Sequence, residues 1–519
     1  MTEESNSIRN AATGFQTVSQ SEAMGGAASH ASSVSRSSSV SRWCIADCGV
    51  LGLWIAVAGF TLRHHEKWAD EAQAWLLVRD LDLKALWLHE LRYEGSPGLW
   101  HTILWVAQHV FHAPYASIGV IGLAGSVAGV AFMFWKAPFP RPLRYLLAFS
   151  YFMVYQYAVI ARPYTLLPLL TFAAAYLFRD LEHPERMTLV LALLALLTVH
   201  GILIAAALGL AYLLEAAKAW HSQSEPLRRR YVACVTVMLM LFLFLFVILK
   251  PTPDVEVIAV KQNPSKYHVV DSPKLTKLIS ILSGALMDYW VPSAFFLLLA
   301  GAWCHMRRKL LAFALPTALL IVLYTGIYGA AHHHGAVFIA VIAGLWIAWP
   351  TQQEQQAFTI GERRATQGMV ALLVCLFGIN IWDAAISIRN EYRYPYSGAQ
   401  DAANYLKSVG ADGKSIFGYM YGVAGVQAYF NHNILSNMPT SYYHHGLPLY
   451  GRVLDVDELR DAKPEYLLIH SLYPDIDYGT LSNSLDPSAY KLVHFSDGYL
   501  FFKQIVYERQ AYFIYQRVH

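Results

Sequence analysis

Charge is what this chain has least of. Asp, Glu, Lys and Arg together make up 14% of its 519 residues and 55% of the residues are hydrophobic, whereas an ordinary soluble domain carries about 25% charge. With a mean hydropathy of +0.34, that composition excludes a soluble globular protein and leaves an integral membrane protein. The formal net charge is only +3 and the cations are scattered at loop ends, so nothing forms the basic stripe that nucleic acid needs. Cysteine is equally scarce. Of the five, Cys234 and Cys375 fall within apolar runs, Cys304 lies near the end of one, and Cys44 and Cys48 sit at the start of the first; neither a disulfide framework nor a zinc spacing results. Internal repeats are lacking too, and without self-similar halves the inverted-repeat plan of many transporters has no support. Residues 1–42 are short of large apolar side chains and rich in Ser, Ala and Gly. They cannot bury enough surface to fold, and read as a disordered cytoplasmic tail.

What the chain has is apolar length. Residues 232–249, VACVTVMLMLFLFLFVIL, carry no charge and are closed by Lys250 and Pro251; at about 1.5 Å per residue such a helix nearly crosses the hydrocarbon. Comparable runs lie near 45–62, 98–112, 115–135, 143–160, 164–178, 187–199, 201–217, 280–303, 310–330, 335–350 and 368–387, and the expected count is 11 to 13 transmembrane helices. Arg36 and Arg42 precede the first run, which lacks a cleavage site and reads as a retained helix with the amino terminus inside. Basic clusters at 228–230, 307–309 and 363–364 mark cytoplasmic loops, which puts 251–279, 331–334 and everything after 388 outside.

Two segments break the apolar pattern. In the first outer loop, 63–97, Leu83, Leu86, Trp87 and Leu91 recur at helical spacing, as short helices lying on a membrane surface would require. In residues 391–519 the runs SIFGYM, EYLLIH, YKLVHF and YLFFKQI read as strands and GAQDAANYLKSV as a helix, making a small soluble extracytoplasmic α/β domain. The membrane domain spans 43–390 between these.

The first outer loop also holds the carboxylates: Asp70 and Glu71, then Glu94 ahead of Pro97. Acidic side chains beside a bilayer are expensive, so a cluster of them is a candidate site. A lone Asp-Glu pair more often caps a helix or faces water; its place directly after the first span favours chemistry. Adjacent residues diverge by about 100° on a helix, so one of the pair does chemistry and its neighbour supports it. Sugar transfer from a lipid phosphate suits that inventory: the leaving group is already an anion, and the enzyme needs one base for the acceptor hydroxyl plus cations or a metal for the phosphate. Candidate cations are Arg63, Lys67, Arg92 and Arg162, with His64, His65, His200 and His332 to His334 as weaker donors. Arg162 could equally be an interfacial snorkelling residue, but Pro163 and Tyr164 fix its position; His200 could be a helix-break histidine satisfied by a carbonyl. Three consecutive imidazoles cannot all face one ion, so the triplet reads as a polar helix start with one member, His333, near the phosphate. A divalent ion, Mg or Mn, at Asp70 and Glu71 is a further expectation. Trp75, Trp87, Trp100, Trp105, Trp346 and Trp349 fit an interfacial belt, and Tyr442, Tyr443, His444 and His445 form a polar aromatic patch that could touch an acceptor.

Three stretches carry a resemblance: DEAQAW at 70–75, YEGSPGLWH at 93–101 and ARPYTLLPLL at 161–170. Together they resemble bacterial GT-C membrane glycosyltransferases, similar to protein O-mannosyltransferases and lipid A aminoarabinose transferases. The resemblance covers 43 to about 390. It implies a GT-C fold in the bacterial inner membrane and an inverting transfer of a hexosyl or pentosyl group from a polyprenyl phosphate at the outer face, to a lipid, glycan or protein acceptor. By it, Asp70 takes the acidic base position with Glu71 as its catalytic partner, Glu94 is the acidic residue ahead of the second span, and Arg162 and Tyr164 face the donor phosphate. From their place on the same side of the membrane, Arg63, Arg92, His200 and His333 are expected around that phosphate as well, and Glu94 and Lys67 at the substrate. Two features depart from the family pattern. Ser96-Pro97-Gly98 stands where two prolines often follow the Glu, and the Asp often found after the arginine motif is absent, so the sugar and the acceptor stay open. The rival expectation is a transporter or flippase of lipid-linked sugars that uses the loop carboxylates for coupling.

Overall fold

A computed structural model describes residues 44–252, 273–327, 329–443 and 456–518. The expected tail at 1–42, most of the outer loop at 251–279, and His444 and His445 lie outside the described residues.

Among the described residues six helices are long and apolar enough to cross a membrane: Ile45–His64, Ser117–Lys136, Val199–Ala217, Glu225–Leu249, Ala331–Ala348 and Ile360–Arg393. A seventh crossing arises if Lys274–Met287 and Trp290–Met306, bent by 70° at their junction, form one broken span. The bend falls at Asp288, which adopts a left-handed backbone (φ 59°). Pro163–Leu177 and Leu310–Gly326 are shorter apolar helices. The chain is a multi-pass membrane protein, and two helices show why. Gly335–Ala348 is buried along its whole length, as a helix hydrophobic on every side must be at a bundle centre. Glu225–Leu249 instead leaves Val237, Leu239, Met240, Leu243 and Phe246 exposed; such a surface is stable against lipid, where the backbone is satisfied within the helix.

Ion pairs tie the expected cytoplasmic loops into one end of the bundle. Arg230 meets Glu185 at 2.5 Å, Lys309 meets Glu215 at 2.9 Å and Arg307 meets Glu354 at 2.6 Å. Helices Val199–Ala217 and Gly335–Ala348 end there and begin at the other end with His200 and His334. The first loop and the carboxyl-terminal domain lie at that opposite end.

The first loop is helical, as its spacing predicts, but it does not lie bare on a surface. Helix Ala69–Asp80 buries Ala72, Trp75, Leu76 and Val78, and Ala72 and Leu76 pack against Ala424, Ala428 and Tyr443 of the carboxyl-terminal domain. Gln73 fixes the join: its Oε1 accepts from the Tyr443 N–H at 2.7 Å and its Nε2 donates to Glu94 at 2.9 Å. The tryptophan belt is also corrected. Trp75 and Trp100 at the first-loop end and Trp346 and Trp349 at the opposite end are buried, because their rings pack inside the protein rather than against lipid headgroups.

The carboxyl-terminal domain carries a four-stranded sheet in the order β1-β2-β6-β3, with β1 Ile416–Tyr419, β2 Tyr466–Ser471, β3 Tyr490–Ser496 and β6 Ala511–Arg517. β1 and β2 are parallel; β6 runs antiparallel to both its neighbours. A separate ribbon, β4 Tyr499–Phe502 and β5 Ile505–Arg509, leaves the sheet. YLFFKQI is therefore not one strand; it turns at Lys503. The tip is planted in the membrane domain: Lys503 Nζ lies 2.6 Å from Asp288 and 3.1 Å from Asp383, Gln504 donates to Asp383 at 2.8 Å, and Ser387 donates to the Lys503 carbonyl at 2.8 Å.

Candidate active site

Where the ribbon meets the bundle a narrow cleft opens, walled by Trp68, Arg162, Tyr164 and His332 on one side and by Tyr396, Leu500 and Tyr507 on the other. Local sequence builds the bundle wall. The π-turn Phe152–Gln156 gives way to an irregular stretch that leads into an extended Arg162, and Pro163, whose fixed φ suits a first helical position, starts the next turn. The guanidinium of Arg162 is thereby held at the cleft, 5.8 Å from the centre of the Trp68 ring.

Asp70 lies in the first turn of Ala69–Asp80, where the helix dipole favours a carboxylate, and accepts a hydrogen bond from Arg162 Nη1. Both side chains keep partial access to solvent. The pair joins an acid to a cation across 92 residues, and the cation of the two lines the cleft.

Glu71 points the other way, as divergence of adjacent helical residues demands. It is buried; Oε1 accepts from the Ala161 N–H at 2.8 Å, and Oε2 accepts from His65 Nε2 at 2.9 Å and from the Trp68 N–H at 3.3 Å. His65 Nδ1 donates in turn to Glu391 at 2.9 Å, whose other oxygen accepts from Tyr155 at 2.5 Å. Burial works against a charged imidazole, but the Glu71 and Glu391 carboxylates outweigh it and lift His65 to about 10. Burial likewise works against an ionised Glu71, and His65 overrides it and holds that carboxyl below its ordinary value. This acid–imidazolium–acid strut joins the first loop to helix Ile360–Arg393 and leaves Glu71 no oxygen facing the cleft. The expectation that Glu71 shares the chemistry is corrected accordingly.

The other expected residues divide. Tyr164 lines the cleft, and behind it its ring packs 5.4 Å from His200 and 5.7 Å from His333. Those two histidines belong to a buried aromatic cluster with Tyr324; the member of the triplet on the cleft wall is His332 rather than His333, because the 3-10 turn Ala331–His333 points successive side chains apart. Glu94 is joined to the loop through Gln73, and its charge reaches Arg162. Lys67 sits over the Tyr115 ring at 5.3 Å, Arg92 donates to the Leu88 carbonyl at 2.8 Å, and Arg63 is exposed at the end of Ile45–His64. None of these three lines the cleft. Nor do the residues present fit a divalent ion: among the described residues no three His, Cys, Asp or Glu side chains gather as a metal site, Asp70 holds a guanidinium and Glu71 is fully engaged.

Sequence reasoning missed the far wall. Tyr396 and Tyr507 line it with no motif around them, and Tyr507 lies on β5, in a segment where no strand is expected. Burial and the Asp70 carboxylate together push Glu508 up to about 7.

No family model matches the chain, and no curated protein matches it. Among solved structures the chain is similar to ArnT from Cupriavidus metallidurans bound to undecaprenyl phosphate, with 14% identity and a TM-score of 0.47 over 90% of this chain and 97% of that one. It is also similar to the arabinofuranosyltransferase AftD from Mycobacteria, with 14% identity and a TM-score of 0.34 over 90% of this chain and 39% of that one.

Proposed function

We propose that this protein is a GT-C membrane glycosyltransferase that takes a sugar from a polyprenyl phosphate and transfers it, with inversion, to an acceptor hydroxyl at the outer face of the cytoplasmic membrane. The observation that carries the reading is the Asp70–Arg162 pair, whose cation lines an aromatic-walled cleft, in a chain whose motifs resemble that superfamily. Arg162 supplies fixed positive charge for a phosphate, and a guanidinium does so in a planar, bidentate manner. When phosphate shares that guanidinium, Asp70 is released from part of its pairing and its carboxylate oxygen is free to accept a hydrogen bond from the acceptor hydroxyl.

The step is a single displacement. The acceptor oxygen forms its bond to the anomeric carbon as the bond from that carbon to the phosphate oxygen breaks; the polyprenyl phosphate departs with the electron pair and Asp70 receives the hydroxyl proton. Trp68, Tyr164 and Tyr396 offer faces for a sugar ring or an isoprenoid chain. The outer-face assignment rests on charge: the arginine clusters gather at the end of the bundle opposite this cleft, and such clusters stay in the cytoplasm. We read the shorter apolar helices, Pro163–Leu177 and Leu310–Gly326 among them, as further crossings that bring the total toward 11 to 13.

Purified protein in liposomes, incubated with a panel of polyprenyl-phosphate sugars and candidate acceptors, tests this by mass spectrometry. One donor should lose its sugar and leave free polyprenyl phosphate. If every donor survives intact across the panel, the reading fails.

A further inference from the structure

One wall of the cleft carries ring nitrogens that nothing uses. Trp68 lines the cleft and is 5% exposed, and its indole Nε1 is shut off from solvent with no hydrogen-bond partner among the described residues. His332 lines the same cleft, and its Nδ1 is in the same condition. The two rings meet edge to face, centres 6.0 Å apart and planes at 73°. The Arg162 guanidinium lies 5.8 Å from the centre of the Trp68 ring, and the charges of Arg162 and Asp70 both reach His332. Buried polar groups are nearly always hydrogen-bonded, so two orphans beside one guanidinium call for an explanation. Packing does not supply it: a phenylalanine at either position would fill the space without burying an idle nitrogen.

The chemistry of the set selects its occupant. An indole N–H and a guanidinium can only donate, and an imidazole that holds its proton on Nδ1 donates from there. A sugar hydroxyl both gives and takes hydrogen bonds, whereas a phosphate oxygen only takes, and donors gathered around a fixed cation suit an anion. We propose that Trp68 and His332 are phosphate-binding residues that donate, with Arg162, to the oxygens of the lipid phosphate. This rests on the glycosyltransferase reading above and names two residues for its donor site. The donor is a phosphodiester with one negative charge. When its bond to the anomeric carbon breaks and the electron pair stays with the phosphate, the polyprenyl phosphate that departs carries two. Donors held in place for that oxygen gain strength as the bond breaks, without reorganising at the moment of reaction.

The experiment is a binding titration of the full-length protein in nanodiscs with three probes: undecaprenyl phosphate, undecaprenol and inorganic phosphate. Wild type should bind undecaprenyl phosphate more tightly than either of the others. Trp68→Phe and His332→Phe keep a ring in place and remove the nitrogens; each should weaken undecaprenyl phosphate about tenfold, the range for a hydrogen bond to a charged group. Both should bind undecaprenol as wild type does, which also shows that they are folded. His332→Asn places an amide nitrogen near the position of Nδ1 and should recover most of the loss. Equal losses for undecaprenol and undecaprenyl phosphate, or no loss at all, overturn the proposal, because the rings then only pack. Inorganic phosphate binding as tightly as the lipid makes the occupant a free anion and overturns it too. The glycosyltransferase reading is judged separately by donor turnover: the predicted binding pattern without turnover of any donor overturns that reading and leaves the phosphate site standing.

Discussion

Asp70 and Glu71 are chain neighbours with different work, and what separates them is nonlocal. Glu71 is claimed by His65, by the Ala161 N–H and, through His65, by Glu391; Asp70 is claimed by Arg162. The sequence makes it legible that only one of the pair can face a reacting atom. Which one depends on residues up to 326 positions distant from His65, and no local pattern reports that. Asp70→Asn should retain expression and thermal stability and lower kcat by about 10²-fold or more, the range for a lost proton acceptor. Arg162→Lys keeps the charge but loses the planar fork, so affinity for undecaprenyl phosphate should fall about tenfold in a binding titration. His65→Gln strips the counter-charge from two buried carboxylates and should cost about 3–5 kcal/mol, seen as a large drop in melting temperature. The pH sense follows from the shifts. His65 is raised in the folded protein, so its contribution is complete below its ordinary value of 6.5 and fades as pH rises through about 10. Glu71 is lowered, so its contribution holds above its ordinary 4.5 and fades as pH falls. Melting temperature should therefore sag at alkaline pH in wild type, and His65→Gln should flatten that sag.

At the scale of elements, the strands with alternating or continuous apolar runs were readable, and β1 to β3 begin within a residue of their expected positions. The ribbon was not, because its turn contains neither Gly nor Asn. Lys503 adopts the left-handed backbone, φ 55°, which a tight hairpin turn calls for and which costs a residue with a Cβ on the order of 1 kcal/mol; the ion pairs of its ammonium with Asp288 and Asp383 offset that cost. The turn is thus dictated by the membrane domain and is invisible in the ribbon's own residues. Lys503→Met leaves Asp288 and Asp383 without their shared cation. Amide exchange across 499–509 should rise well above wild type, and acceptor transfer should fall with it, while the membrane helices keep their protection. Unchanged exchange in the ribbon would show that the tip is held by other contacts.

For the whole molecule, polarity along the bundle axis is the organising feature. Basic loops, tied by ion pairs to Glu185, Glu215 and Glu354, close one end; the carboxylates, the cleft and the carboxyl-terminal domain occupy the other. The apolar runs and their basic flanks announce that arrangement in sequence, and the runs at 45–62, 115–135, 201–217 and 335–350 agree with the observed helices to within a few residues, while Glu225–Leu249 and Ile360–Arg393 extend beyond their apolar runs into polar sequence. The runs near 143–160 and 280–303 were less legible, because a π-turn at Phe152–Gln156 and the break at Asp288 bend the chain where hydropathy reads as continuous. In a protein with its native cysteines replaced by serine, Glu354→Cys and Glu458→Cys should be labelled by a membrane-impermeant maleimide from opposite faces of the membrane, with Glu458→Cys accessible from outside. Labelling of both from one face would contradict the topology.

The central claim is that a lipid-linked sugar is transferred at the Asp70–Arg162 pair, and the most direct measurement is donor turnover by wild type and Asp70→Asn side by side in identical liposomes. Wild type should yield free polyprenyl phosphate and glycosylated acceptor, and the variant should keep undecaprenyl phosphate binding intact with turnover reduced by about 10²-fold or more. Equal turnover by the two proteins would contradict it.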